Sequence, residues 1–395
     1  MTEEIDMTEM TNNIVVIGGG YAGVMAANRL APHARVTLVN PRAEFVERIR
    51  LHQLVVGNDD AVADYSAVLS GAVRLVVDGA SRIDAEARTV TLTSGASLSY
   101  DYLVYAVGST GTIPAVVPGA AEFAYPLSEL EQAQRLTARM ADVPLSAPVV
   151  VVGGGLTGIE TATELAETGR QVTLVTDVLA PSLAAGGRRS VTKRLAKLGV
   201  VIVEGSAVGE VRADRVVLAD GREVPAAVTV WTAGFGVPGL AAASGLATDA
   251  LGRLLTDETL TSVDNVRIVG AGDAASPSDL PWRMSCQAAL PLGAQAANTV
   301  LARLAGDDPA AVNHAMAGQC ISLGRKAGTF QFADVDDTPR RWYIGGRTGA
   351  LVKEQVCRLT LKWIRGEADK PGSYTWKTNP RREQQVVATQ TVPIR

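Results

Sequence analysis

One arrangement of residues occurs twice in this chain of 395 residues and constrains its fold more than any other feature. An apolar run at 14–17 breaks into Gly18-Gly19-Gly20-Tyr21-Ala22-Gly23, a helical stretch follows through Leu30, and a second apolar run fills 35–39. The order returns with an apolar run at 149–152, then Gly153-Gly154-Gly155-Leu156-Thr157-Gly158, a helix through Thr168 and another run at 171–175. Each copy reads as strand, tight turn, helix, strand. Main-chain N–H groups can touch a diphosphate at such a turn only where side chains are absent. Gly18 makes the bend, Gly20 clears the approach and Gly23 lets the helix sit close on its strand; Gly153, Gly155 and Gly158 repeat these roles. Two copies predict two bound dinucleotides, with Tyr21 and Ala22 as further contacts in the first turn.

A chain of this length suits two or three domains of roughly 150 residues each. With 47% hydrophobic and 20% charged residues it has the make-up of an ordinary globular protein. A formal net charge of −4 does not suggest the basic surface that phosphate backbones require, so nucleic acid is not an expected partner. Cys286, Cys320 and Cys357 lie far apart, without the CxxC or CxxxxC spacing of a zinc knuckle or a redox disulfide, and read as reduced thiols with no metal site. Residues 1–10 are acidic and polar where a secretory signal is basic and then apolar, and no stretch approaches the ~18 apolar residues of a spanning helix. The expected compartment is the cytoplasm.

Between the glycine units, residues 74–77, 88–92 and 98–107 read as short strands, as in a β-meander inserted before the next core strand. A similar hairpin follows the second unit, with strands at 210–218 and 227–232 and its turn at Asp220-Gly221. After Gly252, a short strand at 265–269, a turn at Gly270-Ala271-Gly272-Asp273 and a long apolar helix at 286–304 return to the first domain. From about Cys320, alternating segments and an amphipathic helix at 351–365 lead to a polar tail at 381–395. That helix places Leu351, Val352, Val356, Leu359, Trp363 and Ile364 on one face, with Lys353, Arg358, Lys362 and Arg365 opposite or flanking. Such a face suits a membrane surface, although burial against a domain or the second subunit of a homodimer is its commoner use. The expected fold is α/β, with two Rossmann-like, three-layer dinucleotide-binding domains, inserted β-meanders and a small C-terminal α+β domain. Its boundaries are 12–120 with 255–315, 121–254, and 316–395.

In dinucleotide folds the residue closing the second strand takes the adenosine ribose hydroxyls, usually through a carboxylate. Asn40 stands there in the first copy, able to hydrogen-bond a hydroxyl without charge, and Arg42 is near enough to reach a pyrophosphate oxygen. In the second copy Thr176 holds the position and Asp177 follows it. Arg188 and Arg189 could pair with a 2′-phosphate or be ordinary solvated arginines, so NADH and NADPH both stay open.

Taken together, residues 13–303 resemble the two-dinucleotide flavoproteins: pyridine-nucleotide disulfide reductases, type II NADH dehydrogenases and apoptosis-inducing-factor-like oxidoreductases. Tyr102-Leu103-Val104-Tyr105-Ala106-Val107-Gly108 is similar to the segment that crosses from the FAD to the NAD domain, and Val230-Trp231-Thr232-Ala233-Gly234 to its return. The string from Val266 to Asp273 resembles the second FAD motif, which implies that Gly272 and Asp273 lie beside the pyrophosphate, with the aspartate accepting a hydrogen bond from the ribitol chain. Gln287 and Ala288 open the helix whose positive end the resemblance aims at the flavin N1–C2=O region, and Ala80 is an implied backbone contact for adenine. The implied cofactors are FAD and NADH or NADPH, and the implied activity is hydride transfer from NAD(P)H to FAD followed by electron transfer to an acceptor.

Disulfide reductases carry CxxxxC after the second strand of the FAD domain; here residues 44–53 hold no cysteine, which leaves no thiol relay. Type II NADH dehydrogenases carry Ala-Gln-x-Ala-x-Gln where quinone meets flavin, and Cys286-Gln287-Ala288-Ala289-Leu290-Pro291 matches the first glutamine and not the second. The expected acceptor is a quinone or another soluble carrier. The alternatives are a ferredoxin-like redox protein and a slow, redox-sensing role like that of the apoptosis-inducing factors. Glu160, near the start of its helix, is expected at the reacting end together with Gln287, or else favours the helix dipole by about 0.3–1 kcal/mol. Arg48, Arg50 and His52 lie in the stretch that lines the flavin in relatives, where a cation stabilises the reduced form, though each is more simply an exposed charge. Cys286 reads as a small packed hydrophobe that could sit near the flavin.

Overall fold

The computed structural model describes residues 11–390. The acidic opening at 1–10 and the end of the polar tail at 391–395 lie outside the described residues. Each glycine unit builds a five-stranded parallel sheet. In the first the order is Ile268–Gly270, Tyr102–Tyr105, Asn13–Ile17, Arg35–Asn40, Arg74–Val77. In the second it is Ala124–Pro126, Val228–Trp231, Val149–Val152, Val172–Thr176, Val201–Glu204. The strand Val149–Val152 is all valine and wholly buried, as a sheet covered on both faces requires, and β-branched side chains fit its pleat.

The helix Tyr21–Leu30 is buried at every position, sandwiched between the first sheet and the helix Cys286–Ala305. Small residues make that approach feasible: a Cβ on Gly293 would stand 2.2 Å from the carbonyl oxygen of Ala22. Two three-stranded antiparallel meanders hang from the sheets, Ala80–Asp84 with Thr89–Leu92 and Ser97–Ser99, and Val208–Val211 with Arg215–Leu218 and Glu223–Pro225.

The architecture is the α/β class that the repeated turns predict, with local differences. Arg74–Val77 is the outer strand of the first sheet, parallel to Arg35–Asn40, and not part of the meander. Asp220-Gly221 does turn a hairpin, but its outgoing strand is Glu223–Pro225, and Val228–Trp231 belongs to the parallel sheet. Pro225 has no N–H with which to extend the ladder.

The C-terminal part is an antiparallel sheet, Gly318–Ser322, Gly328–Ala333 and Pro339–Gly345, packed against the helix Gly346–Asp369. A last helix, Arg382–Gln390, forms within the stretch read as a polar tail. The long helix buries a different face from the one expected. Leu351 and Trp363 are 66% and 42% exposed, and the buried line is Gly349, Lys353, Cys357, Thr360, Ile364 and Glu367. Two ion pairs account for this rotation, Lys353 with Glu160 at 3.0 Å and Glu367 with Arg29 at 2.6 Å, drawing inward charges that hydropathy alone turns outward. No helix among the described residues is long and apolar enough to cross a membrane.

Candidate active site

The two glycine turns have the same construction. Gly18 and Gly153 take φ of +104° and +117°, and a Cβ on Gly23 or Gly158 would stand 1.8 or 1.9 Å from the carbonyl oxygen of Gly18 or Gly153. Gly20 and Gly155 differ: nothing lies within 4 Å of where their Cβ would be. Both cap their helices without a side-chain hydrogen bond, so main-chain N–H groups of the first turn face open ground. That cradle fits a diphosphate. Ala22 turns its methyl toward Gly272 and its backbone toward Gly293, while Tyr21 packs edge-on against Phe45 at 5.2 Å.

At the ribose positions the side chains are partly committed. Asn40 accepts the Gly19 N–H at 3.0 Å and donates to the Arg42 carbonyl at 2.8 Å, leaving one N–H and one lone pair. The Arg42 guanidinium is held by Glu129 and Glu131 at 3.0 and 2.7 Å; it is a clamp between elements and is not free to reach a diphosphate. Ala80 opens its meander two positions after Asp78, whose N–H donates to the Asn40 carbonyl. Thr176 lies beneath Gly154 and gives its hydroxyl proton to the Val178 carbonyl at 3.0 Å, and Asp177 is exposed beside it. Arg189 is exposed, whereas Arg188 is half-buried with its Nε lacking a protein partner.

Between the turns runs a cleft of about 520 Å³. Tyr21 lines it from the first turn, Leu156, Thr157 and Glu160 from the second, Asp273, Cys286 and Gln287 from the long-helix side, and Gln319, Cys320 and Lys353 from the C-terminal part. The segments after Gly108 and Gly234, both at positive φ, pair as a short antiparallel ladder, Thr110 opposite Gly236 and Gly111 opposite Phe235, which ties the two crossings together. Asn40, Arg42, Ala80, Thr176 and Asp177 are not on the cleft wall. Ala288 is buried in the core, and its N–H is taken by the N-cap Ser285 hydroxyl at 3.3 Å.

Asp273 anchors one wall. It accepts the Ser109 hydroxyl at 2.7 Å and the Ser285 N–H at 3.1 Å, and burial pushes its carboxyl up despite these bonds and nearby Arg48. Arg48 donates to the carbonyls of Ser109 and Ser128 at 2.7 and 2.9 Å. Gln287 and Gln319 each bury an amide oxygen without a protein partner, an unmet acceptor capacity at the cleft.

Glu160 is one turn inside its helix, not in the first turn, so a simple dipole role does not describe it. It takes the Lys353 ammonium at 3.0 Å and the Ser322 N–H at 2.9 Å, with His52 Nδ1 at 3.7 Å. Burial opposes both charges, but their attraction outweighs it: the Glu160 carboxyl is held below its ordinary range and the Lys353 ammonium well above its own. Burial holds His52 neutral, down to about 4, with its Nε2 beside the Ser322 hydroxyl at 3.2 Å. Arg50 and His52 are therefore buried rather than exposed; Arg50 is ringed by Glu47, Asp59 and Glu354. The sequence pattern places Lys353 on the polar face and carries no motif that marks Ser109 or Ser322. The recurrence of Gly349, Lys353, Cys357, Thr360 and Ile364 at helical spacing is the one local signal that marks Lys353. The cysteines converge here: Cys286 and Cys320 line the cleft, and burial raises the Cys286 and Cys357 thiols to about 11 and 12, which keeps them protonated.

Residues 12–293 match the family model of the pyridine nucleotide-disulphide oxidoreductases. An NADH dehydrogenase-like protein of Mycobacterium tuberculosis is 34% identical over 321 residues, covering 73% of this chain and 80% of its own length. A type II NADH:quinone oxidoreductase of Haemophilus influenzae is 25% identical, covering 67% and 73%. The fold matches a sulfide:quinone oxidoreductase from Aquifex aeolicus with a TM-score of 0.75 at 21% identity, covering 97% of this chain and 96% of that one.

Proposed function

This chain belongs to the pyridine nucleotide-disulphide oxidoreductase family of FAD- and NAD(P)H-dependent oxidoreductases, and on that premise we propose that it is an NADH dehydrogenase-like enzyme that delivers electrons directly from the flavin to a quinone-like acceptor. The observation that carries the reading is one cleft lined by Tyr21 just past the first glycine turn, by Leu156 and Thr157 just past the second, and by Gln319 and Cys320 of the C-terminal sheet. Residues 12–120 and 255–315 are assigned to FAD, 121–254 to NAD(P)H and 316–395 to the acceptor side. The name of the Haemophilus influenzae relative supports a quinone, and the protonated thiols support direct transfer without a dithiol relay.

FAD and NAD(P)H, when bound, supply hydride transfer and its onward passage as electrons. The protein supplies placement and charge. The turn amides would hold the two diphosphates, Asp273, set by Ser109 and Ser285, would accept a ribitol hydroxyl beside the first of them, and Arg48 offers a cation beside the cleft. Reduction of a quinone consumes two protons. Lys353 holds a proton at Nζ on the cleft wall, with Glu160, Ser322 and His52 behind it. Anaerobic stopped-flow mixing of the holoenzyme with NADH or NADPH, then with a quinone, ferricyanide or an iron–sulfur protein, tests this. Fast reoxidation by the quinone is the expected result. Fast reoxidation by the iron–sulfur protein alone makes the enzyme a ferredoxin-type reductase, slow turnover with a persistent charge-transfer band makes it a redox sensor, and protein that stays colourless with added FAD ends the whole reading.

A further inference from the structure

A second pocket, of about 470 Å³, adjoins the cleft at Lys353, the one lining residue the two share. It is built by a hairpin tip and a helix start. The tip joins Gly318–Ser322 to Gly328–Ala333, closed by the Leu323 N–H donating to the Ala327 carbonyl at 2.9 Å, and Gly328 bridges to Gly346 where the helix Gly346–Asp369 begins. The tip is pinned from below, because Glu167 accepts the Arg325 N–H at 2.6 Å and the Glu164 carboxylate pairs with the Arg325 guanidinium at 3.0 Å. The pocket is thus preformed.

Its charge is lopsided. Arg325, Lys326, Arg347 and Lys353 line it, against the single carboxylate of Glu354. That carboxylate is already held from outside by Arg50 at 3.3 Å and by Arg358 at 2.9 Å. Glu164 and Glu167 are likewise engaged, by Asn58 and by Arg194 as well as by Arg325. Lys326 and Arg347 have no carboxylate of their own among the described residues. Lys353 uses one of three donors on Glu160. With Arg325 and Lys353 already paired to Glu164 and Glu160, the unneutralised positive charge of the pocket is that of Lys326 and Arg347, which a bound anion would offset.

We propose that this pocket is a binding site for a phosphoryl group, carried by a small phosphorylated molecule or by inorganic phosphate. Two guanidinium groups match the fork of phosphate oxygens, and two ammonium groups offset its second charge. A bound phosphate shares Lys353 with Glu160 and so loosens the pair that walls the cleft, which makes the site a regulator of the chemistry next door. The binding claim does not rest on the acceptor assigned above.

The test is calorimetric titration of the FAD-loaded protein with inorganic phosphate in saturating NAD⁺, which covers the other diphosphate site, against KCl at matched ionic strength. Saturable heat is expected, together with an affinity about tenfold weaker or worse in the Lys326→Ala, Arg347→Ala double variant, the loss of two charge-assisted contacts. Flavin reduction by the double variant without phosphate stays at its parental rate. A second arm uses phosphatidylglycerol vesicles: binding of vesicles alone, lost in the double variant, keeps the phosphoryl site and moves its source to a lipid headgroup. Heat unchanged by the double substitution, or none with either probe, overturns the proposal.

Discussion

A methyl group added to Gly155 enters open space, whereas one added to Gly158 meets the carbonyl oxygen of Gly153. The consequence is a separation of effects within one turn. Gly155→Val is expected to fold and keep its yellow colour while the KM for NAD(P)H rises about tenfold or more, equal to at least ~1.4 kcal/mol of lost binding. Gly158→Ala is expected to lower the melting temperature first, since backbone must move to admit it. Equal KM changes in two equally stable proteins would refute the assignment of Gly155 to a diphosphate. At Lys353 the chemistry itself can be split. Lys353→Met removes a fixed cation from the cleft wall that would stabilise the anion forming on a quinone's oxygens, so turnover with a quinone should fall about 100-fold, while ferricyanide, which forms no such oxyanion, should be reduced at nearly the parental rate. The same change strands the buried Glu160 charge, a cost of about 3–5 kcal/mol that the double variant Glu160→Gln, Lys353→Met should largely recover without recovering quinone turnover. Parallel loss with both acceptors would show that the lysine only holds the fold.

The first glycine-turn helix is tied to the C-terminal helix by one buried junction. Arg29 meets Glu367 at 2.6 Å, donates to the Tyr374 carbonyl at 2.7 Å and to Asn298 at 3.2 Å, and the glutamate also accepts the N–H groups of Gly372 and Tyr374. Glu367→Leu is therefore expected to cost about 3–5 kcal/mol in urea unfolding, because the guanidinium stays buried without its counter-charge. Faster amide exchange should follow at 346–376 before the two parallel sheets loosen; uniform exchange would deny the element its separate dependence on this pair. None of this was legible in the sequence, and the reason is physical. The glycine turns are local demands of main-chain geometry, and the string ending in Asp273 is short, so pattern alone finds them together with the alternating order of strands and helices. Arg29, Glu367, Lys353 and Glu160 are charges whose partners come from remote parts of the chain. Hydropathy turns each outward, and only the assembled packing shows which carboxylate meets which cation. For that cause the helix Gly346–Asp369 buries a face its hydropathy does not mark, and Arg42, near a diphosphate in sequence, is held instead by Glu129 and Glu131.

For the molecule as a whole, buried histidines set the response to acid. His52 and His314 are 3% and 4% exposed, and burial pushes both down to about 4 from an ordinary 6.5. Above about pH 6.5 each is neutral whether the chain is folded or not, and stability does not depend on them. As pH falls from about 6.5 toward about 4, the unfolded chain takes up protons that the folded chain refuses, so stability declines, by at most about 1.4 kcal/mol per histidine per pH unit. Glu160, held low, adds to the loss on the acid side of its window, since protonation removes the counter-charge of Lys353. The two histidines are not equal. His52 keeps a carboxylate 3.7 Å away, whereas neither ring nitrogen of His314 has a protein partner and its ring lies 6.3 Å from that of Trp282. His314→Phe should then be neutral or stabilising at neutral pH, because a buried unpartnered polar group costs about 1–3 kcal/mol, and should flatten the acid limb of the melting curve. Melting temperatures of the parent and His314→Phe across this pH window decide the matter: identical slopes would place the acid sensitivity elsewhere, and a slope reduced but not abolished is the mark of His52 and Glu160 titrating behind the cleft.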